Sequence, residues 1–330
     1  MSSGKRNLQY SLAINEALHQ VMSDDDSVFI IGQGVKSPWY VGNTTRGLLE
    51  RYGAGRVIDT PVSENAMTGA AVGAALVGMR PIVIHPRIDF MLYALDPIIN
   101  EAANWHYMFG GQSSVPAVIW GIINRGGEQA AQHSQALHAL FAHIPGLKVV
   151  MPSTPYDAKG LMIAAVRDEN PVIYIDDRWL YSQEGLVPRE SYSVPIGRGV
   201  VRRRGKDITL LTVSHPVLNS LKAAKLLAAE GIDVEVIDLR SLKPVDEGLM
   251  YKSLKKTGRL VIVDGGWKTC GFSAEIAALV SENMFKCLKA PIHRVTLPDT
   301  PAPASCVLEE EYYIRTDNIV LALRNAMIGE

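Results

Sequence analysis

The 330-residue sequence lacks paired cysteines, an excess of charge of either sign, and any long apolar run. Its three cysteines, Cys270, Cys287 and Cys306, fall in the C-terminal third, have no Cys-x-x-Cys spacing, and leave one over in any disulfide scheme. A reducing compartment is expected, and the cytoplasm fits it. The formal net charge of -1, with acids and bases evenly mixed, provides neither a basic stripe for phosphate backbones nor a polybasic membrane patch. Nucleic acid and membrane are therefore not expected as partners. The small-apolar run over residues 69–79 stops at Arg80, short of a bilayer span, and residues 1–13 hold no apolar core of signal-peptide length. A transit peptide already removed would leave no trace here.

Several familiar chemical devices are missing as well. There is no Gly-x-x-x-x-Gly-Lys-Ser/Thr phosphate loop, no Gly-x-Ser-x-Gly nucleophile elbow and no His-Glu-x-x-His zinc helix. Gly32-Gln33-Gly34 follows a strand but has no third glycine at the dinucleotide-loop offset. His133, His138 and His143 are five residues apart, and at about 100° per residue successive imidazoles leave any single helix face. A zinc site on that segment is not expected, and packing or solvent exposure accounts for these histidines equally well.

What is present is apolar bulk: 47% hydrophobic residues against 20% charged, enough for a large core divided into two domains. Strand-like runs at 28–32, 81–85, 115–121, 147–151 and 172–175 alternate with helical patterns at 64–78, 92–108, 134–142 and 156–167. A Pro- and Gly-containing polar stretch, 183–199, reads as a linker. A second series follows, with strands at 207–213, 234–239, 260–263 and 292–295 and helices at 217–229, 249–256 and 274–284. The alternation predicts an α/β fold with parallel sheets. The expected division is a first domain over 1–185, a linker over 186–199 and a second domain over 200–330.

The chain carries Arg56-Val-Ile-Asp-Thr-Pro-Val-Ser-Glu64, Gly69-Ala-Ala-Val-Gly-Ala-Ala75, Gly78-Met-Arg-Pro81, Asp89-Phe90, Tyr107-Met-Phe-Gly-Gly-Gln112, Gln132-His-Ser-Gln135, Pro145-Gly-Leu-Lys-Val-Val150 and Asp157-Ala-Lys-Gly160. Further on stand Arg167-Asp168, Val236-Ile-Asp-Leu-Arg240, Thr257-Gly-Arg-Leu260 and Gly271-Phe272. In this order and near-constant spacing they resemble the β subunit of the decarboxylating component of pyruvate and branched-chain 2-oxoacid dehydrogenases, in the transketolase-like superfamily. The resemblance implies a parallel-sheet pyrimidine-binding domain followed by a transketolase C-terminal-like α/β domain. It also implies thiamine diphosphate as cofactor and an oxidoreductase that works only in an α2β2 heterotetramer. The α-type partner would hold the diphosphate and Mg2+ through a Gly-Asp-Gly segment, which this chain lacks. In the family's usual case a lipoyl acyltransferase core takes up the acyl group. The runner-up is a thiamine-dependent acyl- or ketol-transferring enzyme of specialised or carbohydrate metabolism that has no lipoyl core.

By the same resemblance Glu64 contacts a ring nitrogen of the cofactor's aminopyrimidine and favours the tautomer that activates the thiazolium carbon. A first-turn acid answering the helix dipole is the plain alternative. His133 lines the site as proton relay or carboxylate contact; as the bland alternative it sits beside a capping Ser134. Phe90 packs near the aminopyrimidine, or else is core. Ala117, Ala165, Val166, Asp168 and Asn170 match oxygens, mainly backbone carbonyls, that hold K+ in the family.

The chain departs from the family in four places. Gly32-Gln33-Gly34-Val35 replaces a Gly-Glu-Asp/Glu-Val motif, so Gln33 is an amide where a carboxylate is usual. Ile84 replaces a glutamate and is followed by His85-Pro86-Arg87. Tyr93 stands where glutamine is common, and Asp264-Gly265-Gly266 replaces His-Glu-Ala. Losing a carboxylate and gaining an imidazole and a guanidinium favours anionic or polyhydroxylated substrates if Gln33, His85, Arg87 and Tyr93 line the pocket. If His85 and Arg87 face solvent instead, the change means nothing for substrate choice.

Overall fold

The computed structural model describes residues 6–37, 39–127 and 129–329. In chain order the elements are β1 (Arg6–Gln9), α1 (Tyr10–Asp24), β2 (Val28–Gly32), α2 (Leu48–Tyr52), β3 (Val57–Asp59), α3 (Glu64–Leu76), β4 (Arg80–His85), α4 (Ala103–Met108), β5 (Val118–Ile123), α5 (His138–His143), β6 (Lys148–Val150), α6 (Pro155–Val166), β7 (Val172–Asp177) and β8 (Glu184–Val187). They continue as β9 (Val200–Arg203), β10 (Ile208–Thr212), α7 (Pro216–Ala228), β11 (Val234–Asp238), β12 (Ser241–Lys243), α8 (Glu247–Thr257), β13 (Leu260–Trp267), α9 (Phe272–Met284), β14 (His293–Leu297), α10 (Cys306–Tyr312) and α11 (Thr316–Ile328). Two compact units result, Met1–Arg125 with Leu140–Ile196, and Gly126–Ala139 with Gly197–Glu330.

In the first unit β6, β7, β5, β4, β2 and β3 lie side by side in that order, all parallel. Their sequences are near-continuous apolar runs because helices cover both faces, and every residue of β2, β5 and β7 is buried. Helix α3 packs Met67 and Ala71 onto Phe29, Ile31 and Val83 of β2 and β4. Helix α1 buries Tyr10, Ala13, Ile14, Ala17, Leu18, Val21 and Met22, a stripe at helical spacing, and packs against α6.

The second unit is a sheet ordered β14-β13-β10-β11-β9, parallel except for β9. Alternate residues of β10, β11 and β13, namely Ile208, Leu210, Val234, Val236, Val261 and Val263, meet α7 and α11 in one apolar cluster. On the opposite face Thr209 Oγ1 bonds Ser253 Oγ and Thr257 Oγ1 of α8, each at 2.7 Å.

Three stretches differ from the sequence expectation for identifiable reasons. The beginning of the 183–199 stretch is strand β8, held antiparallel to β1 with Leu8 opposite Gly185. The helical stretch expected over 92–108 is a 3-10 turn (Ile88–Ala94), a π turn (Asp96–Ala102) and α4. Pro97 has no N–H and interrupts the regular ladder there. The helix expected from 134 begins only at His138, and Ser134 is buried rather than capping it. Residues 126–139, which include His133, group with the second unit.

Candidate active site

Parallel α/β sheets bind ligands outside the carboxyl ends of their strands where the winding direction reverses. Here the chain passes from β2 to β3 on one side and from β3 to β4 on the other, so the reversal lies between β2 and β4. The first residue past β2 is Gln33 and the last of β4 is His85, both buried. The turn after Gln33 is tied down by Gly34, whose φ of +71° suits glycine and whose N–H donates to Asp59 Oδ1 at 2.7 Å. A side chain at Gly34 would also strike the Tyr40 ring. Asp59 ends β3, so the loop that delivers Glu64 to the start of α3 is anchored at its origin.

Glu64 is the first residue of α3 and is only 7% exposed. Its carboxyl makes no hydrogen bond or ion pair among the described residues. The residue is largely covered, yet its carboxyl oxygens are not among the buried atoms without partners, so they still meet solvent and are open to a ligand's hydrogen bond. One turn on, Thr68 Oγ1 lies 3.2 Å from His85 Nε2. His85 is 1% exposed, and burial pushes its pKa down to about 3, so the imidazole is neutral. Gln33 Oε1 and His85 Nδ1 are buried without hydrogen-bond partners. A neutral His85 can offer a substrate hydrogen bonds but no charge, and the cation beside it is Arg87.

Arg87 is half-buried and donates from Nη1 to the Pro86 carbonyl at 3.0 Å. Burial first, and the Arg178 guanidinium second, lower its pKa from the ordinary value. Arg178 donates to the Tyr40 carbonyl and lies 5.9 Å over the Tyr181 ring. Phe90 is partly buried in the 3-10 turn, and Tyr93 in the same turn is 73% exposed. The structure thus brings Gln33 and His85 to neighbouring strand ends and leaves Tyr93 facing solvent.

Three further residues were not read from the sequence: Thr68, Arg178 and Asp176. Thr68 follows Glu64 by four, the spacing of one helix face, which was the available signal. Asp176, fully buried in β7, accepts from Trp120 Nε1 at 2.9 Å, and burial pushes its pKa up to about 7. Its strand end shows no such signal.

Four of the five carbonyls matched to K+ are in use, all but that of Asn170. Those of Val166 and Asp168 accept from Arg80 Nη1 at 3.0 and 3.2 Å, that of Ala117 from Val172 N–H, and that of Ala165 from Asp168 N–H. Asp168 also takes the Lys148 ammonium at 2.5 Å and the Asn170 N–H at 2.9 Å. His133 is partly buried in the 126–139 segment of the second unit.

The residues fit one end of thiamine diphosphate. Glu64 offers an unpartnered carboxyl for a heteroaromatic nitrogen. The metal-diphosphate end finds no counterpart: no cluster of three or more His, Cys, Asp or Glu able to hold a metal occurs among the described residues, and no Gly-Asp-Gly occurs in the sequence.

Residues 6–183 match the pyrimidine binding domain of transketolase and residues 197–319 its C-terminal domain. A split-gene transketolase described as an inactive β4 tetramer shares the fold, with a TM-score of 0.77 at 22% identity over 98% of this chain and 99% of that one. Among curated relatives, the β subunit of acetoin:2,6-dichlorophenolindophenol oxidoreductase from Cupriavidus necator is 46% identical over 98% of both chains. The β subunit of the pyruvate dehydrogenase E1 component from Rickettsia felis is 44% identical over 90% of this chain and 91% of its own. The chain belongs to this family, the β subunits of thiamine-diphosphate-dependent 2-oxoacid dehydrogenase components, built from a transketolase pyrimidine domain and a transketolase C-terminal domain.

Proposed function

We propose that this chain is the half of a composite active site that activates the cofactor, and that an α-type subunit supplies the other half in an α2β2 assembly. The carrying observation is Glu64, a 7%-exposed residue at the start of α3 whose carboxyl has no partner among the described residues. When bound, thiamine diphosphate supplies the nucleophilic, electron-accepting carbon that no protein side chain offers. Glu64 holds a proton against the aminopyrimidine ring nitrogen, and Phe90 contributes an aromatic face beside that ring. His85, neutral, lies 3.2 Å from Thr68, one turn after Glu64 on α3. His133 takes or gives protons in later steps. The partner's Gly-Asp-Gly segment holds the diphosphate through Mg2+, which demands oxygen ligands in near-octahedral geometry. Besides the Asn170 carbonyl, K+ would have to use second lone pairs of carbonyls that already accept hydrogen bonds, next to the Arg80 cation.

The proposed reaction is decarboxylation of a 2-oxoacid with transfer of the acyl group, in the usual case to the lipoyl arm of an acyltransferase core. Gln33 and Arg87 extend the preference toward acids more polar than pyruvate. The three free cysteines and the absence of any helix long and apolar enough to cross a membrane among the described residues support a cytoplasmic setting.

Glu64→Gln tests the reading in the assembled enzyme. Turnover should fall by about two orders of magnitude or more while cofactor affinity stays within a few-fold. Near-normal turnover would remove the assignment.

A further inference from the structure

Asp264-Gly265-Gly266, a departure from the family with no evident purpose in the sequence, has a structural partner within the second unit. His138 Nε2 lies 2.8 Å from Asp264 Oδ1, and both side chains are 1% exposed. The second carboxylate oxygen of Asp264 accepts from Ser273 N–H at 3.0 Å, and Oδ1 also accepts from Gly266 N–H at 3.0 Å. Burial works against the ionised form, but His138 and these two N–H groups outweigh it and hold the Asp264 pKa below the usual carboxylate value. Gly266 supplies the space. A Cβ placed there would come within 2.9 Å of His138 Cε1 and 3.3 Å of Nε2, so the imidazole sits where any larger residue would push it out.

His138 closes one end of the 126–139 segment that carries His133. The other end is held too, since Gly126 N–H donates to the Tyr313 hydroxyl at 3.4 Å. Between the two ends Gly126, Gly127 and Ala130 all take left-handed backbone, with φ of +66°, +62° and +59°. Ala130 pays a strain for this that persists only when neighbouring contacts enforce the conformation. Ser134 and Ala136 turn inward and are buried, while His133 is left partly accessible.

We propose that Asp264 and Gly266 form a socket for His138, and that this seating sets the position of His133, making His138 and Asp264 positioning residues for it. The inference deepens the proton-relay role proposed for His133 and rests on that reading for its purpose. The geometry of the socket does not depend on it. A chain with a partner-bearing histidine at the segment's end presents His133 in one arrangement; without it the segment loses that anchor and the surroundings of the His133 imidazole change.

The test reads hydrogen exchange at the C2 position of each histidine ring by mass spectrometry on the full-length chain, across pH 5 to 9 (on the order of the imidazole titration range). The proteins are wild type, Gly266→Ala, Asp264→Asn, His138→Ala and His138→Gln. Gly266→Ala and Asp264→Asn should raise the exchange rate of His138 by about tenfold. They and His138→Ala should speed His133 by about threefold or more, while His19 and His293 keep their rates. His138→Gln, which retains an N–H donor for Asp264, should disturb His133 least and keeps the test alive if the other variants fold poorly. A wild-type His133 curve in all variants would overturn the proposal, and so would equal acceleration at every histidine, which marks general loosening. The measurement needs neither cofactor nor turnover. Failure of His133 as a proton relay would instead show as near-normal turnover in His133→Ala with the exchange pattern intact.

Discussion

Two buried glutamates separate the chemistry of the first unit from the architecture of the second. Glu64 on α3 is 7% exposed and unpartnered among the described residues, whereas Glu235 on β11 is 4% exposed and fully engaged. Glu235 accepts from Ser253 Oγ at 2.6 Å and Gly205 N–H at 3.3 Å and pairs with the Lys256 ammonium. Burial works against its ionised form, but these partners hold its pKa below the ordinary value. The α8 face of the second sheet closes a hydroxyl network around Thr209, Ser253 and Thr257, whereas at the strand ends both sheets leave buried atoms without partners, Gln33 Oε1 and His85 Nδ1 in the first and Thr212 Oγ1 and Ser214 Oγ in the second. Buried polar groups satisfied by their own chain, such as Glu235, hold the fold together; Glu64 has no such partner among the described residues.

The largest contrast is expected in substrate choice. If the residues at and just past the β4 strand end read the substrate, Arg87→Met in the assembled enzyme should lower kcat/KM for 2-oxoacids with a second anionic group by about ten- to a hundredfold, the worth of a charged hydrogen bond. Pyruvate should be affected less, and it should not be the best substrate of the wild type. Selective pyruvate turnover with no effect at Arg87 would make Gln33, His85, Arg87 and Tyr93 unrelated to the pocket.

Stability should show the reverse pattern. Glu235→Gln breaks a satisfied network and should cost about 1.5–3 kcal/mol in denaturant unfolding. Glu64→Gln breaks no hydrogen bond or ion pair among the described residues and should leave the midpoint nearly unchanged. Equal losses in both variants would erase the distinction drawn here.

The smallest effect lies in pH dependence within the first unit, where two buried groups oppose each other. His85 has a folded pKa of about 3 against an ordinary 6.5, so between those values the unfolded chain binds the extra proton and stability rises with pH. Asp176 has a folded pKa of about 7 against an ordinary 3.8, so over that range the folded chain holds the proton and stability falls as pH rises. The two slopes largely cancel between about pH 4 and 6.5. His85→Gln should expose a stability that declines with pH in this window, and Asp176→Asn one that climbs. Melting curves of both variants with unchanged slopes would show that neither group is held as described.

The sheets were legible because their strands are continuous apolar runs; residues 28–32 match β2, and 172–175 lie within β7. Helix α1 went unread although its apolar spacing is regular, and α11, with Ile319, Val320, Leu323 and Ala326 buried, likewise. The broken helix around Pro97 needed three dimensions, since one missing N–H decides between a continuous ladder and a π turn. In the site, Glu64 was readable only through the motif around it, because first-turn acids are common. His85 was readable as a residue but not as a neutral one, since its charge depends on burial under α3. Arg178 and Asp176 belong to a strand end far along the chain from Glu64. Asp264-Gly265-Gly266 was visible as an oddity; the room it makes for His138 was not.

The central claim is that the active site is incomplete within this chain, and calorimetric titration of the purified subunit with thiamine diphosphate and magnesium tests it most directly. The account requires no micromolar binding and no 2-oxoacid decarboxylation by the chain alone, with both restored once an α-type subunit carrying the Gly-Asp-Gly segment is added. Micromolar binding accompanied by decarboxylation in the single chain would contradict it.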